Sequence, residues 1–240
     1  MNPYYSDDLV TLYNGDCRTV LAGMSDRTVD CVITDPPYSD RTHKNARSNS
    51  GKASKGNRIL TGVNAFASID LDTLGTVMAE CGRVTRRWVV ATMDYHHVFT
   101  YEDEPPPGLR LLRIGVWTKS NPMPQISGDR PGQGWEAIAF LHRDDLRPAW
   151  NGSGRPGVWH GATVPDGLHP TAKPLPMVAD WVRLFTNPGD TILDPFAGSG
   201  TTLRAAKDEG RKAIGVELDE RYCELIAKRC AQDTLFGGVA

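Results

Sequence analysis

The stretch Ile192–Thr202, ILDPFAGSGTT, decides how the chain is read. It joins a short apolar strand to a helix through Phe196-Ala197-Gly198-Ser199-Gly200. Glycine permits a tight turn and close approach of backbone to a ligand. The strand is expected at 191–193, and the helix covers 201–209 and is closed by Gly210. A further strand at 213–216 leads into Glu217 of GVELDERY. Working outward, the same alternation recurs. Leu9–Tyr13, Val29–Thr34 and Trp88–Met93 read as strands, the last two apolar enough to be buried on both faces. Helices are expected at 17–24, across Leu71, Leu74, Val77, Met78, Cys81 and Val84, and over 219–230. Another starts with Pro174 in its first position and lines Leu175, Val178, Val182 and Phe185 on one face. Leu111–Thr118 and Glu136–Leu141 are expected to pair antiparallel. The chain is thus α/β, with a mostly parallel sheet and helices on both faces.

Ligands of such sheets sit beyond the carboxyl ends of the strands, where the strand order reverses. Glu217 follows Gly198 by nineteen residues. An acid near that offset accepts hydrogen bonds from ribose hydroxyls, so an adenosine-type ligand is expected at the glycine turn. No GxxxxGK[ST] pattern is present to cradle a triphosphate, and Asp194 would repel a pyrophosphate. A ligand with a ribose and a cationic centre fits better, and S-adenosylmethionine has both.

The bulk properties narrow the class further. The 240 residues suffice for one domain spanning 1–240, with 40 % hydrophobic and 23 % charged residues. No apolar run approaches the ~18 residues of a membrane span. The start, MNPYYSDDLV, lacks the basic and apolar regions of a signal peptide, so a cytoplasmic protein is expected. Cys17, Cys31, Cys81, Cys223 and Cys230 form no CxxC pair and read as reduced packing residues. His96-His97 has no second ligand cluster nearby, so no metal is expected. The net charge of −2 hides a basic segment at 41–58, where Arg41, Lys44, Arg47, Lys52, Lys55 and Arg58 stand without an acid. It is either a solvated loop or a phosphate-binding loop that orders on contact.

A second motif ends the strand Val29–Thr34: Asp35-Pro36-Pro37-Tyr38. The prolines fix φ and supply carbonyls without N–H donors. The corner therefore offers a carboxylate and carbonyls beside an aromatic face. That suits an exocyclic amino group on a flat ring, with two hydrogens to donate. Such a nitrogen is a poor nucleophile, and holding both N–H bonds would aim its lone pair at a methyl donor. A base in a duplex must be flipped out to reach such a pocket.

TDPPY, DPFAGSGTT, GVELDERY and HPTAKP together resemble the β-class amino-group DNA methyltransferases, in the same order along the chain. LYNGDC, VWTKSNPMP and GWEAIAFLH are also similar to that family, and the likeness covers nearly the whole chain. It implies S-adenosylmethionine, a Rossmann-like seven-stranded sheet with one antiparallel strand, a permuted motif order, and methyl transfer to a base amino nitrogen. By the resemblance, Asp35, Pro36, Pro37 and Tyr38 are catalytic. Phe196, Gly198 and Gly200 form the cofactor loop, with Asp194, Ser199 and Thr201 beside it. Glu217 is the ribose acid and Asp16 the acid at the cofactor adenine. His169, Pro170, Thr171 and Lys173 close over the methionine part. Asp in the first catalytic position is similar to enzymes acting on adenine N6, whereas cytosine-N4 members more often carry Ser. An adenine-N6 DNA methyltransferase is expected; a cytosine-N4 enzyme, an RNA methyltransferase and a non-catalytic DNA-binding subunit are the alternatives. Many members of that family carry a separate recognition region, but here only loops at 39–66, 119–134 and 144–167 could contact DNA. Arg130, Arg143, Arg147 and Arg155 in or near them would bind phosphates or guanine edges, or form salt bridges. Trp135, Trp150 and Trp159 read as packing residues. The expected substrate is double-stranded DNA, and homodimers are common in the family.

Overall fold

The structure is a computed structural model, and it describes residues 2–37, 69–122, 124–125, 127–163 and 172–232. Its centre is a strand of near-continuous apolar character, β3 (Val29–Thr34). The strands β1 (Tyr5–Ser6), β2 (Val10–Asn14), β4 (Thr85–Met93), β5 (Leu109–Lys119) and β6 (Trp135–Arg143) join it in one sheet. So do β7 (Val158–Gly161), β8 (Thr191–Asp194) and β9 (Lys212–Glu217), in the order β1-β2-β9-β8-β3-β4-β6-β5-β7.

Period-two alternation sends successive side chains of these strands into two separate cores. In β4, Trp88 and Val90 face one side, and Val89, Ala91 and Met93 the other. The first side is covered by α4 (Leu175–Phe185), α5 (Thr201–Asp208) and α6 (Glu220–Cys230). The second is covered by α1 (Cys17–Ala22), α2 (Leu71–Val84) and α3 (Tyr95–Asp103). Helix α2 forms because Leu74, Val77, Met78, Cys81 and Val84 recur on one face, all buried. The Asp70 side chain caps its start, accepting from the Thr73 N–H at 2.8 Å.

Among the described residues the sheet has nine strands, not the expected seven, and two of them, β1 and β6, run antiparallel to the rest, not one. Both additions lie at the edges. β1 folds back on β2 through a turn in which Asp7 N–H donates to the Val10 carbonyl. β7 pairs parallel with β5, so part of the loop expected at 144–167 is an edge strand. Trp159 anchors it: the ring is buried edge-on against Trp181 at 5.8 Å, and its N–H donates to Asp180. Helix α3 was not expected either, because YHHVFTYED buries only His97, Val98 and Tyr101. Pro174 is the residue before α4, not its first position; Pro176 lies inside the first turn. No helix among the described residues is long and apolar enough to cross a membrane.

Candidate active site

The strand order reverses between β3 and β8. After β3 the sheet continues to β4 on one side, and after β8 to β9 on the other. The two sequence motifs thus leave adjacent strands at the same edge. A hydrogen bond ties them together: the Thr34 hydroxyl donates to Asp194 Oδ1 at 2.7 Å.

Asp194 also accepts from the Phe196 N–H at 3.1 Å, which starts the glycine turn. Its carboxyl is pushed up to about 6 by burial, against the pull of the Thr34 and Thr202 hydroxyls and the Phe196 N–H. The turn itself uses left-handed backbone at Gly198 (φ 52°) and Gly200 (φ 78°). At Gly200 a Cβ would lie 2.9 Å from Ile226 of α6, so both conformation and packing demand glycine. Glu217, at the end of β9, receives the Gly198 N–H at 2.8 Å on one oxygen and the Asp219 N–H at 2.8 Å on the other. Burial raises its carboxyl, and those backbone donors draw it back. Ser199 and Thr201 are buried in the turn, with their hydroxyls 3.4 Å apart. Asp16 caps α1 and holds the Arg18 guanidinium at 2.5 Å, which lowers its carboxyl. It follows Gly15, whose N–H donates to the Glu217 carbonyl.

Asp35 follows β3 beside β4, and the Thr92 hydroxyl donates to its Oδ1. Lys173 Nζ lies 2.5 Å from its Oδ2. Burial raises the Asp35 carboxyl; Lys173 lowers it and Glu136 raises it further. Burial works against the Lys173 charge, but Asp35 and Glu136 outweigh it, and the ammonium is held above its ordinary range. Lys173, expected over the methionine part of a cofactor, thus stands at the Asp35 carboxylate. Sequence reasoning missed Thr92, Glu136 and Lys119, which complete this cluster. Glu136 had one signal, an acid at the head of the buried run AIAFL.

Tyr38, His169, Pro170 and Thr171 lie outside the described residues, as do Arg41, Lys44, Arg47, Lys52, Lys55 and Arg58. Arg130 is exposed and pairs with Asp129 at 2.9 Å. Arg143 pairs with Asp145, and Arg155 with Asp180, so these two serve salt bridges. Trp159 is core, and Trp135 and Trp150 pack against the two cores from their margins. All five cysteines are free and buried. No group of metal-ligating side chains occurs among the described residues.

The donor set fits S-adenosylmethionine. Glu217 and Asp194 bond to the backbone of the glycine turn, and Asp16 follows Gly15, whose N–H donates to the Glu217 carbonyl; carboxylates so placed suit ribose hydroxyls and cationic centres and disfavour a pyrophosphate. Fold and donor set together have the form of a Rossmann-like methyltransferase. The family model described as DNA methylase, for N6 and N4 methyltransferases, matches residues 29–229. The type II methyltransferase M2.DpnII of Streptococcus pneumoniae is 26 % identical, over 95 % of this chain and 91 % of its own length. The M1.HpyAVI–SAM complex superposes with a TM-score of 0.68 at 23 % identity, covering 92 % of this chain and 99 % of that one. The cytosine-N4-specific PvuII DNA methyltransferase gives 0.73 at 16 % identity, over 98 % and 91 %, a likeness of fold alone. This chain belongs to the N6/N4 DNA methylase family: it is a DNA methyltransferase, and S-adenosylmethionine is its methyl donor.

Proposed function

We propose that the chain methylates the N6 amino group of adenine in duplex DNA, acting on a base flipped out of the helix. The observation that carries this reading is the Asp35 corner. A carboxylate and two prolines without N–H groups leave β3 one strand away from the glycine turn. Aspartate in the first position supports adenine over cytosine, by resemblance to adenine-N6 enzymes.

When bound, S-adenosylmethionine supplies a methyl group activated by its sulfonium. Glu217 holds the ribose and Asp16 stands at the adenine. Phe196, Gly198, Ser199, Gly200 and Thr201 shape the turn around them, and Asp194 fixes its start. His169 and Thr171 close over the methionine part. Asp35 and a proline carbonyl accept the two amino hydrogens, so the nitrogen lone pair faces the methyl carbon. Tyr38 stacks on the base. Held by these residues, the amino nitrogen would take the methyl group of S-adenosylmethionine, turn cationic and then pass a proton to water. The Asp35 carboxylate stabilises that growing charge. The basic segment 41–58 and Arg130 grip phosphates. Five buried free thiols fit a reducing, cytoplasmic setting. Family resemblance supports a homodimer and a permuted methyltransferase domain over 1–240.

Labelled-methyl transfer to duplex DNA, with mass spectrometry of the nucleosides, tests this. N6-methyladenine is expected, and N4-methylcytosine alone would overturn the base assignment. Structured RNA run in parallel should remain unlabelled. Asp35→Ala should lower kcat by about a hundredfold or more while cofactor affinity by calorimetry stays within a few-fold. An undiminished rate would remove Asp35 from the chemistry.

A further inference from the structure

Three side chains of alternating charge, Lys173, Glu136 and Lys119, lead away from the proposed catalytic carboxylate. Lys173 Nζ is 2.5 Å from Asp35 and 3.3 Å from Glu136 Oε2. The other Glu136 oxygen is 2.6 Å from Lys119 Nζ. Side-chain exposure is 28 % for Asp35, 8 % for Lys173, 15 % for Glu136 and 18 % for Lys119. Water therefore screens these charges poorly, and each sets the strength of the next. A lone ammonium against Asp35 would neutralise it and make it a weak acceptor.

We propose that Glu136 is a positioning residue for methyl transfer: it shares Lys173 with Asp35, so the Asp35 carboxylate keeps enough negative charge to hold the target amino group. This rests on Asp35 being the catalytic carboxylate. Glu136 is well placed for the task. It sits on β6, paired with β4, which carries Thr92, the other partner of Asp35. Lys119, near the end of β5, balances the second Glu136 oxygen, so Glu136 does not draw Lys173 away entirely. The charged groups facing Asp35 are Lys173 and Glu136, with Asp194 on β8 and Lys119 beyond Glu136. Two carboxylates and two ammoniums make the Asp35–Lys119 chain neutral. When the amino group docks on Asp35, Lys173 can lean towards Glu136 without leaving a charge unpaired.

The test is kcat against pH for the full chain with DNA and S-adenosylmethionine, in wild type, Glu136→Gln, Glu136→Asp and Asp35→Ala. Glutamine keeps the side-chain shape and one acceptor oxygen for the lysines, turns an NH2 donor towards the other, and removes the charge. Lys173 then bears more heavily on Asp35, whose acid limb should move down by about one pH unit. At neutral pH kcat should fall about tenfold, with the KM for S-adenosylmethionine within about twofold of wild type. Glu136→Asp should restore most of the rate and return the limb. A structural role alone would lower the rate without moving the limb. An unmoved limb in folded Glu136→Gln overturns the proposal; if that variant does not fold, a wild-type limb with depressed rate in Glu136→Asp does so. An undiminished rate in Asp35→Ala would instead overturn the reading of Asp35 on which it rests.

Discussion

Asp194 holds the glycine turn of the proposed cofactor site at a cost to the fold. It is buried, its carboxyl is pushed up to about 6, and it fastens the glycine turn to the neighbouring strand. A folded pKa above the unfolded value of ~3.9 favours the protonated form in the native state. That contribution is complete below about pH 4 and is lost as pH rises through 6. Asp194→Asn keeps an acceptor for Thr34 and Phe196 and escapes this loss. Its stability advantage over wild type should reach roughly 1–3 kcal/mol at pH 7 to 8 and fade towards pH 4, as read by urea melts across pH. Affinity for S-adenosylmethionine should drop in the same variant. At this scale the motif residues were legible because each motif is local: Gly198, Gly200 and Glu217 announce a turn and an acid. Their partners were not, since Lys173 and Asp35 stand 138 residues apart.

Elements differ in how plainly the chain declares them. Apolar periodicity marked β3, α2 and α6, and their bounds fall within a few residues of the expectation. The short strand β7 and helix α3 lack such periodicity. Tertiary contact makes them: β7 has an open place beside β5, and α3 covers the end of the second core. For β7 the contact is concentrated in Trp159. Trp159→Ala should destabilise the protein by about 3 kcal/mol, leaving the Asp180 carboxylate with one partner fewer. The loss should appear as a lower denaturation midpoint, with the kcat of the folded fraction retained. An unchanged midpoint would mean that the strand is held by backbone pairing alone.

Over the whole molecule, charge and topology do separate work. The net charge of −2 disfavours general attraction to nucleic acid, so contact with DNA must be local. The segment 41–58 is where the sequence concentrates cations. Replacing Lys44, Arg47, Lys52 and Lys55 by alanine should reduce the slope of log Kd against log salt by up to about 3.6, since each phosphate contact contributes about 0.9. Methyl transfer at low salt should persist; an unaltered slope would assign phosphate binding elsewhere.

Topology supplied what charge could not. The sequence by itself determined the alternating elements, the glycine turn with its acid, and the rigid corner of Asp35-Pro36-Pro37, because turns and apolar periods are written in neighbouring residues. Only the tertiary structure decided that β3 and β8 lie side by side, that two edge strands extend the sheet, and that Lys173 and Glu136 meet at Asp35. Those outcomes depend on which distant strands pair, and pairing is settled by the joint burial of both sheet faces, a property no short stretch of chain possesses.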